Sequence, residues 1–151
     1  YDKELGERWS QDIREARALL QKEAELQELV RLVGVDALSV ADRLVLESAK
    51  SIREDFLQQG AFTEGDNYTS LRKQLRMLDV IMLWSHLASK AASGGVPLGA
   101  ILAMPVRIEI ARSKSIPETN LAAFDTLENS IGKGFEALSE MDTTAREEYH
   151  E

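Results

Sequence analysis

Cysteine is absent from the 151-residue chain. That excludes a disulfide framework and any thiolate metal site, so packing has to hold the fold together. No apolar run approaches the roughly 20 residues needed to cross a bilayer, and Tyr1-Asp2-Lys3-Glu4 carries no signal-peptide pattern. There is no Gly-x-x-x-x-Gly-Lys-Ser/Thr loop, no Gly-x-Gly-x-x-Gly after a strand, and no His-Glu-x-x-His, so the machinery of autonomous phosphate or zinc chemistry is missing. Excess positive charge is missing too: 18 Lys and Arg stand against 26 Asp and Glu, for a net charge of −8. The basic residues are scattered rather than gathered in a stripe, which disfavours a nucleic-acid partner. The chain starts without Met and in mid-pattern, and is expected to be an excised fragment of a longer polypeptide.

What is present is the balance of an ordinary soluble domain, 44% hydrophobic and 29% charged. From about Glu7 to Val33, the residues Trp9, Ile13, Ala16, Leu19, Leu20, Leu26, Leu29, Val30 and Val33 recur at spacings of mostly three and four, which predicts one long amphipathic helix closed by Gly34. Ser39 and Asp42 form a capping-box pattern, in which the hydroxyl and the carboxylate each satisfy an amide. A second helix follows, with Leu44, Val45, Ala49, Ile52, Phe56 and Leu57 inward, and ends near Gln59 and Gly60. Residues 61–69 read as a loop. Ser70 caps a third helix bearing Leu71, Leu75, Leu78, Ile81, Met82 and Leu87, which ends before Gly94 and Gly95.

Pro97, Pro105 and Pro117 each sit where a helix can start, because a first-turn proline forfeits no helical hydrogen bond. They open a short turn to Leu102, a helix to about Lys114, and a last helix carrying Leu121, Phe124, Leu127, Ile131, Phe135 and Leu138. Residues 139–151 read as a polar, frayed tail. No segment alternates with the period of a strand. The expected fold is all-α, a bundle-like array of five to six helices without significant sheet, with residues 1–138 as one helical domain.

Few residues suggest chemistry. His86 and His150 lie too far apart in sequence for a shared metal, and His86 reads as a helix-face residue. Glu23, Glu25 and Glu28 read as a solvated face among Lys22 and Arg31 rather than a cation site. Glu64, Asp66 and Asn67 lack the ligand positions of an EF-hand loop. Met77, Met82 and Met104 read as gap-filling core. No catalytic or metal-binding residue is assigned.

Three stretches go beyond composition. They are Gln21 through Gly34 (QKEAELQELVRLVG), Ile52 through Gln59 (IREDFLQQ) with Ala61-Phe62, and Pro105-Val106-Arg107 with Ile110-Ala111-Arg112 and Pro117-Glu118. In this order and spacing the chain, from Tyr1 to about Leu138, resembles the C-terminal helical domain of the catalytic A subunit (alpha chain) of archaeal-type (A/V-type) rotary ATP synthases. Gly60, where the family commonly has asparagine, and Trp84-Ser85-His86, in a stretch usually more aromatic and acidic, depart from the pattern.

The resemblance implies a force-transmitting domain of a proton- or sodium-translocating ATP synthase. The missing nucleotide-binding fold would bind Mg-ATP, the central-stalk rotor and the neighbouring B subunits of a hetero-hexamer would be partners, and the complex would sit peripherally on the cytoplasmic face of the membrane. The fragment itself holds no cofactor and inserts into no membrane. Gly34 to Asp42 is similar in position to the rotor-bearing lever of the F-type subunit, which nominates Asp36, Leu38, Ser39 and Asp42 as central-stalk contacts; a plain capped connection is the alternative. Phe62 matches an aromatic that lies against the adenine ring, with Gln58 and Gln59 beside it and Tyr68 as a second candidate; anchoring of its own loop is the alternative. From a different functional class stands a free-standing helical adaptor that docks partner helices. An enzyme built in the bundle core is disfavoured, since no inward Glu-x-x-His pair is present.

Overall fold

The computed structural model describes residues 3–57 and 70–150, with side chains to Met141. Helix α1 spans Lys3–Val33, and α2 spans Val40–Ser51 and runs on without a break into a π-helical turn, Ile52–Leu57. Helix α3 is Leu71–Ser93, and α4 is the short Leu98–Leu102. Helix α5, Val106–Ala111, tightens into a 3-10 turn at Arg112–Ser115. A further 3-10 turn, Glu118–Asn120, leads to α6, Ala123–His150. No strand occurs among the described residues, so the architecture is all-α as the periodicity requires. The last helix continues past Leu138 to His150, where the sequence reading expects fraying.

Helix α3 is the axis of the array, packed against α1, α2 and α6. It buries Met77, Leu78, Val80, Ile81, Met82, Trp84, Ala88 and Ala91, so apolar residues occupy most of its circumference, as a helix surrounded by others requires. Around Trp84, Phe124, Ile131 and Ile101 the core is closed to solvent, and the Trp84 and Phe135 rings meet at 6.4 Å. Met77, Met82 and Met104 are buried, as expected of gap-fillers. At the end of α3, Gly95 takes φ 102° and lets the Val96 amide donate to the Ala91 carbonyl at 3.0 Å, a Schellman closure that a side chain at position 95 would strain.

Polar contacts fix how the helices meet. Glu23 is buried rather than solvated, which corrects the sequence reading for that residue. It accepts from Arg53 Nε at 3.0 Å and from Arg53 Nη2 at 2.7 Å, a two-pronged clamp between α1 and the π turn. Glu25 and Glu28 do face solvent, paired with Lys22 and Arg31. Arg107 lies 4.9 Å over the Trp84 ring and donates to Glu47 at 2.7 Å and to the Leu102 carbonyl at 3.2 Å, tying α5 to α2 and α3. Glu118 accepts from the Ser70 amide at 2.7 Å, pinning the first residue of α3 to the 3-10 turn before α6.

Where α1 crosses α3, the carboxyl groups of Asp12 and Asp79 interact beside Arg8, which pairs with Asp79. Arg76 bridges Asp79, Asp125 and Glu128. Burial first, then the bond to Asp79 and its charge, push the Asp12 pKa from an ordinary 3.8 up to about 8. A carboxyl whose folded pKa is raised stabilises the fold fully below its unfolded value and loses that contribution as pH climbs to the folded one.

Two outcomes follow for stability. The stability that Asp12 contributes is lost between pH 4 and pH 8, so the melting temperature of Asp12→Asn, which cannot ionise, is expected to fall less over that range than the parent's; equal slopes for both proteins would remove Asp12 ionisation from the account. Arg53→Ala leaves the Glu23 carboxylate buried and unpaired and lowers unfolding free energy by about 1–3 kcal/mol in urea titration. Its cost is not additive with that of Glu23→Ala, and simple additivity would mean that the clamp contributes nothing as a pair.

Candidate functional site

The corner between α1 and α2 is built by its sequence in three steps. Gly34 adopts φ 87°, and its amide donates to the Val30 carbonyl at 2.8 Å, closing α1 with a conformation that other residues resist. Val35–Ala37 then makes one 3-10 turn, sealed by a 3.1 Å bond from the Leu38 amide to the Val35 carbonyl. Ser39 opens α2, its hydroxyl accepting from the Asp42 amide at 3.1 Å. Only this half of the capping box forms: among the described residues the Asp42 carboxylate caps no amide.

Asp36 and Ser39 are exposed and Asp42 is half-buried. Leu38 is turned inward with 8% of its surface accessible, so it anchors the corner instead of offering an apolar contact to a partner. The exposed apolar side chains are others: Leu32 at 73%, Val33 at 58%, Val40 at 45%, Val35 at 43% and Leu29 at 41%. Leu29 and Val33 continue the period that buries Ala16 and Leu26, but here α1 has outrun the helices it packs on. Five of the nine exposed large hydrophobics among the described residues thus fall between positions 29 and 40, a concentration a solitary fold has no reason to display. The signal was in the sequence, where Leu29 and Val33 lie on the helical stripe, but periodicity does not tell which part of a stripe meets its own chain.

The other candidates, Gln58, Gln59, Phe62 and Tyr68, lie outside the described residues. The residues flanking them are held: Ile52 and Phe56 of the π turn are buried in the core beside the Glu23–Arg53 clamp, and Ser70 is fixed by Glu118. His86 is exposed on α3, with Nε2 2.7 Å from Glu15 Oε2. No group of three or more His, Asp and Glu among the described residues is placed to hold a metal ion, and no described helix is long and apolar enough to cross a membrane.

The sequence family described as the C-terminal domain of V and A type ATP synthase matches residues 1–94. The V-type ATP synthase alpha chain of Thermoanaerobacter pseudethanolicus is 52% identical over 139 residues, which are 92% of this chain and 24% of that protein. The alpha chain of Clostridium perfringens is 55% identical over 126 residues, 83% of this chain and 21% of that protein. That of Clostridium botulinum is 45% identical over 137 residues, 91% of this chain and 23% of that protein. The chain therefore spans about a quarter of the length of these relatives. With the family covering the long helix, the corner, the π turn and the central helix, this chain belongs to the C-terminal domains of V and A type ATP synthases.

Proposed function

We propose that this domain is the mechanical output arm of a catalytic ATP synthase subunit, and that the corner from Leu29 to Asp42 bears on the central stalk. The observation that carries this is the apolar cluster of Leu32, Val33, Val35 and Val40, set on a helix end that projects beyond its own core. Leu32 and Val35 supply apolar contact, while Asp36 and Asp42 add steering toward basic rotor residues, a smaller and salt-sensitive contribution. The Gly34 closure and the Ser39 cap make the turn stiff, as a lever must be.

In the full-length subunit a preceding nucleotide-binding fold would bind Mg-ATP. Its closure would swing this domain as a rigid body, so that hydrolysis or synthesis is exchanged for stalk rotation. Phe62, flanked by Gln58 and Gln59, would offer a flat apolar face to the adenine ring, with Tyr68 in a secondary role. Neighbouring B subunits would complete the hexamer on the cytoplasmic face of the membrane, with protons or sodium ions as the coupled ion. The 151-residue chain alone lacks a phosphate-binding loop and is expected to bind Mg-ATP weakly and to hydrolyse none.

Binding of this chain to a central-stalk subunit, measured by biolayer interferometry, is expected to weaken about tenfold or more with Leu32→Asp plus Val35→Asp. Asp36→Ala plus Asp42→Ala is expected to cost only a few-fold, and less at high salt. Unchanged binding by the first variant would overturn the assignment of the corner. Gly34→Ala, whose added methyl meets nothing within 4 Å, should lower stability by about 1 kcal/mol through backbone strain alone. A neutral result in thermal melts would mean that the turn is not stiff.

A further inference from the structure

The second and third of the family-like stretches, Ile52–Leu57 and Pro105–Arg112, meet across a cleft of about 570 Å³ whose lining includes no residue of the Leu29–Asp42 corner. One wall comes from the end of α2 and the π turn, the other from α5 and its 3-10 extension. Volume in this range is typical of sites that hold a ligand or a peptide side-chain cluster.

The lining is amphipathic. Lys50, Arg107, Arg112 and Lys114 contribute four cations against two carboxylates, Glu54 and Asp55, on a chain whose net charge is −8. Arg107 is engaged with Trp84 and Glu47. Lys50, Arg112 and Lys114 are exposed, and among the described residues no ion pair takes up their charged ends. Burial first, then the neighbouring Glu54, push the Asp55 carboxyl up, while Lys114, Arg107 and Lys50 pull it back. The apolar floor includes Leu102 and Pro105, and Ile108 stands at the rim with 57% of its surface accessible.

We infer that this cleft is a docking site for an acidic peptide segment of a partner protein, one whose carboxylates pair with Lys50, Arg112 and Lys114 while an apolar side chain covers Ile108. Charge complementarity selects this occupant. With Arg107 held by Glu47, Lys50, Arg112 and Lys114 still outnumber Glu54 and Asp55, so the lining carries a positive excess on an acidic molecule and favours carboxylate-bearing chain over basic segments. The paired apolar patch distinguishes a peptide from a simple anion, which would gain nothing from Ile108.

The test is an amide chemical-shift titration of the isotope-labelled chain with a capped Glu-Glu-Leu-Glu-Glu-Leu hexapeptide. Saturable shifts are expected to concentrate in residues 50–55 and 102–114, to weaken as salt is added, and to need about tenfold more peptide with K50E, R112E and K114E combined. A control with the same charge change at distant exposed sites, R72E with K90E and K133E, should bind as the parent does. Thermal melts of both triple variants establish that each is folded. Shifts spread over all basic residues, equal binding by the control and cleft variants, an equal response to Lys-Lys-Leu-Lys-Lys-Leu, or the same shifts with inorganic phosphate alone would each overturn the proposal.

Discussion

A helix keeps its apolar stripe for as long as something covers it, and α1 is longer than its cover. Its 31 residues reach about 46 Å at 1.5 Å per residue, whereas Leu26 is its last fully buried apolar position. Beyond that point the stripe continues through Leu29 and Val33 into solvent, joined there by Leu32, Val35 and Val40. Water exacts roughly 25 cal/mol for each Å² of apolar surface left uncovered, so a patch of this kind is maintained only where burial against another surface returns the energy. That mismatch between helix length and core length carries the functional reading of the domain.

The remainder of the fold makes such an overhang usable. A projecting end transmits force only if its root does not yield, and the root here is fixed by unlike interactions in series. Helix α3 supplies a dry apolar axis around Trp84. The Glu23–Arg53 clamp ties α1, just before its overhang, to the π turn that continues α2. The cation of Arg107 over Trp84 then links that unit to α5. Each contact restrains a different pair of helices, so bending the corner would require several of them to give way together.

Much of this could be seen in the residues, and the misses have physical causes. Ser39, Ser70, Gly34, Pro97 and Pro105 mark helix ends by chemistry local to the chain, and the structure places a helix boundary at or beside each, whereas Pro117 opens only a 3-10 turn and the last helix begins at Ala123. Glu23 looked solvated because helical spacing alone puts it among Glu25 and Glu28; its partner lies 30 residues away, and only tertiary packing brings Arg53 to it. Asp12 and Asp79 are 67 residues apart and gave no signal for the same reason. Leu38 was nominated by the position of its stretch, which is similar to the F-type lever, and position in a sequence does not tell that the 3-10 turn after Gly34 leaves this side chain inward. The family-like polar positions, by contrast, were legible as unusual before their roles could be assigned: Arg53 forms the clamp, and Arg107 and Arg112 line the cleft.

The central claim is that the corner is covered in the working assembly and bare in the isolated chain. Leu32→Cys places a thiol at the most exposed apolar position of the corner, the only one within these 151 residues. Its maleimide labelling rate should be fast in the isolated domain and slowed at least several-fold when the catalytic subunit is assembled with its stalk. Equal rates in the two states, with assembly confirmed, would contradict the account.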